Sequence, residues 1–163
     1  MLVPLSFRTV SLNIMGYRLK TFSVSFVSEP GQSPVGHPVR SAEDLERVAR
    51  GIFADLDADK EHFVLLVMNN KNRINGFKVI ATGSLTATLV HPREVYAAAL
   101  NLTAAAVAFV HNHPSGDPAP SQEDIEITRR LKEIGDIFGI RVLDHVILGE
   151  PGRYFGFSNR GLL

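Results

Sequence analysis

The sequence contains no cysteine. Disulfide bridges and thiolate metal sites are therefore excluded, and a reducing compartment suits such a chain. It has no surplus of charge either, since Lys plus Arg and Asp plus Glu each number 17. A dedicated nucleic-acid binder ordinarily carries a basic excess, so weak or no nucleic-acid binding is expected. Residues 1–40 do hold four basic side chains, Arg8, Arg18, Lys20 and Arg40, against Glu29 alone. That excess is too diffuse for a phosphate-binding patch. Long apolar runs are also missing. The longest, Val95 to Val110, is interrupted by Asn101 and Thr103 and falls short of the roughly 20 residues of a membrane span. The opening stretch "MLVPLSFRTVSLNIMGYRLK" lacks the basic, apolar and small-residue segments of a signal peptide. A soluble, cytoplasmic protein with no membrane partner is expected. The oligomeric state has no signature in the sequence.

What is present is globular. At 163 residues, 45% hydrophobic and 21% charged, the chain is long enough for one domain with a substantial core. Residues 1–40 read as an N-terminal arm and linker. Strand-like alternation at Thr21 to Val27 is followed by the Pro- and Gly-rich stretch Ser28 to Pro38. Residues 41–163 read as the main globular domain. Ser41 and Asp44 open a capping-box-like helix that runs to about Asp55. "EHFVLLVMNN" is a buried strand, and "KNRINGFKVIATGS" supplies a turn and a second strand. His91-Pro92 begins an alanine-rich helix expected to end near Ala106, because proline is favoured in the first helical turn. "VAFV" is a short buried strand, Ser121 caps a helix to about Phe138, and "IRVLDHVILG" is a late strand. The fold class is α/β (α+β), a mixed sheet sandwiched by helices.

The chemistry gathers in "AVAFVHNHPSGDPAPSQED", Ala106 to Asp124. Side chains two apart in a strand share a face, so His111 and His113 project together while Asn112 points away. Asp124 falls at the third position of the helix capped by Ser121. Free N–H groups and the helix dipole there favour a negative charge. Two nitrogens and one carboxylate oxygen leave one tetrahedral position open, the pattern of a catalytic zinc site rather than a closed structural one. The letters "HNH" do not indicate a nuclease, and a zinc deaminase would require paired cysteines. Taken alone, each half has an ordinary alternative: surface histidines, and S-x-x-D as a simple helix cap.

His111-x-His113-Pro114, with seven residues between His113 and Ser121 and two between Ser121 and Asp124, resembles the JAMM signature of MPN/JAB-domain metalloproteases. "HPREVYAAAL", "HNHPSGDPAPSQED" and "VLDHVILG" resemble the RadC branch of that family, over roughly Ser41 to Phe157. The resemblance implies a helix-wrapped sheet with cytidine-deaminase-like layering and one Zn²⁺ per chain, held by His111, His113 and Asp124. It implies hydrolysis of peptide or isopeptide bonds in a protein or peptide substrate. It also places a glutamate base before the central strand, where Glu61 stands at the head of "EHFVLLVM", with Glu94 as its rival. Ser121 matches the serine that steadies the oxyanion, a role that competes with simple helix capping. RadC-branch proteins often carry a helix-hairpin-helix region, and residues 1–40 contain no such Gly-hinged pair. The alternative reading is a DNA-repair-associated, metal-binding accessory protein without hydrolytic activity.

Of the remaining candidates, Asp117 suits a turn better than a fourth ligand. His145 suits the core or the support of a ligand, His62 packing or surface, His91 a helix start, and His37 the solvent-exposed linker. Pro114, Gly116, Pro118 and Pro120 are expected to stiffen the loop.

Overall fold

The computed structural model describes residues 13–14, 17–18, 38–83 and 90–163. The alternation expected at Thr21 to Val27, most of the expected linker and His37 lie outside them. Two short strands, β1 (Asn13–Ile14) and β2 (Tyr17–Arg18), pair antiparallel.

Helix α1 spans Ala42–Phe53. Its cap is the expected one, with Ser41 Oγ accepting from the Asp44 N–H. The other half of the expected box is displaced by one residue, because Asp44 accepts from the Arg40 N–H instead. Strands β3 (Glu61–Met68) and β4 (Ile74–Gly83) form a hairpin, followed by α2 (Pro92–Asn101), β5 (Ala106–Asn112), α3 (Gln122–Phe138) and β6 (Arg141–Leu148). A short β7 (Tyr154–Gly156) and a 3-10 turn at Ser158–Arg160 complete the regular structure of the described residues. Five strands form one mixed sheet in the order β4-β3-β5-β6-β7, in which only β5 and β6 run parallel.

Two core layers explain why β3 and β5 read as unbroken apolar runs. Val64, Leu66, Met68, Ala108 and Val110 pack with Leu45, Ala49 and Ile52 of α1. Phe63, Leu65, Val67, Val107 and Phe109 face the other way, onto Val95 and Ala99 of α2 and Ile127 and Leu131 of α3. A central strand covered on both faces has no solvent side to mark with polar residues. The helix-sandwiched mixed sheet expected from the sequence is the architecture found.

Two elements differ from expectation. Helix α2 stops at Asn101, five residues short of Ala106. Thr103 turns into the left-handed region at φ 50°, and the Ala104 N–H reaches back to the Ala99 carbonyl at 2.9 Å, closing the helix. Alanine's helix propensity loses here to Ala106–Asn112, a longer strand than "VAFV", which fills the centre of the sheet. Strand β7 was not anticipated, being only three residues long, and it extends the sheet beyond β6. Among the described residues no helix is long and apolar enough to cross a membrane.

Candidate metal centre

The site forms at the carboxyl end of β5, where the chain leaves the sheet and α3 begins. His111 is the last residue of β5 paired to β3, opposite Phe63. Phe63 lies nearly parallel to the His111 ring, with centroids 6.1 Å apart. His113 is held one residue beyond the strand by its N–H, which donates to the Leu148 carbonyl at 2.9 Å. The loop then folds back, as the Gly116 N–H donates to the His113 carbonyl and the Glu150 N–H to the Gly116 carbonyl. Gly149 makes this closure possible. A Cβ there would stand 2.4 Å from the Gly116 carbonyl oxygen.

Asp124 is the third residue of α3 and is 6% exposed. Here the reciprocal capping box is complete. Ser121 Oγ accepts from the Asp124 N–H at 3.1 Å, and Asp124 Oδ2 accepts from the Ser121 N–H at 2.8 Å. The Ser121 hydroxyl also donates to that oxygen at 2.6 Å. With Oδ2 so engaged, Oδ1 turns towards His111 Nε2, 3.2 Å away. Position, dipole and cap act together to keep this carboxylate ionised. Burial raises its pKa, but in the metal-free protein hydrogen bonds from protonated His111 and His113, the charge of His111 and the bond from Ser121 outweigh that and hold it well below the usual carboxylate range.

The proton positions on both histidines follow from their partners. Thr128 donates its single hydroxyl proton to the Asp124 carbonyl, one turn back along α3. It must therefore accept from His145 Nδ1, at 2.5 Å. His145 Nε2 is then an acceptor, and His111 Nδ1 donates to it at 2.8 Å. His113 Nδ1 donates to the Asp117 carbonyl at 2.7 Å. Each ring has spent its one neutral-state proton on Nδ1, leaving a lone pair on Nε2. These two lone pairs face each other at 3.0 Å, beside Asp124. Three electron-rich atoms converge, an arrangement that a cation bound between them would relieve.

The spacing fits a metal ion. The ligand atoms of His111, His113 and Asp124 all lie within 4.8 Å of one another. Donors about 2.0–2.1 Å from a tetrahedral zinc stand roughly 3.3–3.4 Å apart. The observed separations are 3.0 Å between the imidazoles, 3.2 Å from His111 to Asp124 Oδ1 and 3.6 Å from His113 to Asp124 Oδ2. A proton is the competing cation. Hydrogen bonding to Asp124 raises the pKa of His113, burial opposing. Burial lowers that of His111, against the pull of Asp124.

His145 sits at 0% exposure, its pKa held well below the ordinary value by burial. It lies outside the His111, His113 and Asp124 group and is hydrogen-bonded to His111. Glu61 heads β3, and its charge acts on both His111 and His113. Glu94 lies exposed in the first turn of α2. Asp117 shapes the turn, its carboxylate accepting from the Ala119 N–H. Both His62 ring nitrogens are engaged, with Thr82 Oγ1 and the Asp57 carbonyl, so its role is packing. His91 is exposed at the start of α2 and makes no side-chain capping bond. Sequence reasoning overlooked Thr128 and Gly149. Thr128 lies four residues after Asp124, hence on the same helix face, a signal that was available. The need for Gly149 arises only from the loop packed on it.

The model of the RadC-like JAB domain matches residues 35–162. The chain belongs to this family. It is 56% identical over 111 residues to a UPF0758 protein of Geobacter sulfurreducens, covering 68% of this chain and 48% of that one. A UPF0758 protein of Syntrophomonas wolfei is 43% identical over 151 residues, covering 88% of this chain and 64% of the relative. The chain thus spans about half to two thirds of the length of these relatives. Every residue of the site falls inside the RadC-like JAB match.

Proposed function

We propose that this RadC-like JAB domain is a zinc-dependent hydrolase of peptide or isopeptide bonds. The convergence of the His111, His113 and Asp124 lone pairs, with no proton of the neutral rings between them, carries the reading. A zinc ion bound there supplies Lewis acidity, bringing the pKa of water towards neutrality and polarising a carbonyl. Glu61 accepts the proton of the attacking water and returns it to the leaving amine. Ser121 anchors Asp124 through its hydroxyl, and it serves an oxyanion only if that hydroxyl turns away from Oδ2. Phe63 lines the buried side of the His111 ring and keeps water from it.

The test is cleavage of a peptide library by zinc-loaded protein, read by mass spectrometry as new termini. Wild type is expected to cleave. Glu61→Gln keeps size and hydrogen bonding but not the proton acceptor, so turnover should fall by on the order of 10²–10⁴ with zinc retained. Glu94→Gln should cleave as wild type does. A wild-type rate matched by Glu61→Gln would remove Glu61 from the mechanism.

A further inference from the structure

Asn112, between the two histidines, does something that strand pairing does not. The ladder between β3 and β5 ends at Phe63 and His111. Beyond that pair the Asn112 side chain takes over. Its carboxamide oxygen accepts from the His62 N–H at 2.8 Å, and its nitrogen donates to the Lys60 carbonyl at 2.9 Å. These backbone groups belong to the residues on either side of Glu61. Its neighbour His62 is in turn pinned at both ring nitrogens, by Thr82 Oγ1 and the Asp57 carbonyl.

The residue is a poor choice for its position on other grounds. Asparagine disfavours strands, and alternation puts position 112 on the face that carries Ala108 and Val110 into the α1 core. An aliphatic side chain would suit that layer better. A carboxamide, however, supplies one acceptor and one donor at once, matching one N–H and one carbonyl. Alternation also places Glu61 on the face of Phe63, whose ring lies against His111.

We propose that Asn112 is a positioning residue for Glu61. Its carboxamide fastens the backbone on both sides of Glu61 to the strand bearing His111 and His113, so carboxylate and metal ligands hold one geometry. This rests on the reading of Glu61 as proton acceptor, and a measurement without substrate separates the two. Co²⁺ is added to protein labelled with ¹³C at glutamate Cδ, and its paramagnetic relaxation of the Glu61 resonance is measured. Glu61→Gln assigns the signal. Wild type should show strong relaxation. Asn112→Ala should lose it while binding Co²⁺ at unchanged stoichiometry. Asn112→Leu, which fills the apolar layer, should do the same, and Asn112→Asp, keeping the acceptor but not the donor, should retain part.

Strong relaxation in wild type that survives in Asn112→Ala or Asn112→Leu would overturn the positioning role and leave the base reading standing. Failure of both variants to fold or to bind Co²⁺ would make Asn112 a fold element and overturn the proposal equally. Absence of relaxation in wild type would remove Glu61 as the base, and the positioning role with it.

Discussion

The Nε2 atoms of His111 and His113 face each other at 3.0 Å, while each ring's Nδ1 is hydrogen-bonded elsewhere. Such an arrangement suits a cation. Protein purified without chelator is expected to hold about one zinc per chain, with nitrogen ligands about 2.0–2.1 Å from the ion. His113→Ala should abolish binding. Retention of stoichiometric zinc in a His111/His113 double variant, measured by atomic emission, would contradict the assignment.

The chain from Thr128 through His145 to His111 should matter for metal affinity although none of its supporting members touches the ion. Thr128→Val removes the acceptor for His145 Nδ1. The freed imidazole proton permits the wrong tautomer, and zinc affinity should drop by about 10–100-fold. Leaving that buried nitrogen unpaired should also cost about 1–3 kcal/mol of stability. Thr128→Ser keeps the hydroxyl and should restore most of both. Isothermal titration and chemical denaturation read the two effects. Equal zinc affinity in Thr128→Val and wild type would refute the relay.

Stability of the metal-free protein should depend on pH in a direction fixed by three histidines. Burial lowers the pKa of His111 and His145 below 6.5 in the folded state. The unfolded chain therefore takes up protons there first, and stability is lost as pH falls through that value. His113, raised by its hydrogen bond to Asp124, has the opposite sign, stabilising at low pH and losing that contribution as pH rises through its folded value. Because His145 is fully buried and held well below its ordinary value, a net decline towards acid is expected. His113→Ala removes the opposing contribution, and since burial is the largest cause of the His111 and His145 shifts those persist, so the decline should steepen, as urea midpoints across pH 8 to 5 would show. A decline no steeper in that variant would contradict the assignment.

Binding of this chain to DNA should be weak. With 17 acidic and 17 basic residues, the counterion-release term that drives non-specific binding is small. Fluorescence anisotropy at physiological salt should give a Kd no tighter than roughly 10⁻⁶ M. Tighter binding that persists as salt is raised would favour the accessory-protein reading.

The sequence by itself determined four of the five strands of the main sheet, the starts of the three helices and the identity of the residues that meet at the centre. A buried β3 is written in "EHFVLLVM", and the start of α3 in Ser121 and Asp124, because local periodicity and capping chemistry act within a few residues. The spacing of His111 and His113 likewise follows from the two-residue repeat of a strand. Tertiary structure decided what depends on distant partners. Helix α2 stopped early because the centre of the sheet took Ala106 onward. His145, 34 residues from His111, became the acceptor that sets its tautomer only once β5 and β6 lay side by side. Asn112 reached across 52 residues to Lys60 because β3 and β5 pair. Gly149 had to be glycine only because the histidine loop came to rest on it. Local rules choose the ligands, whereas the direction of their lone pairs is set by whatever the fold packs behind them.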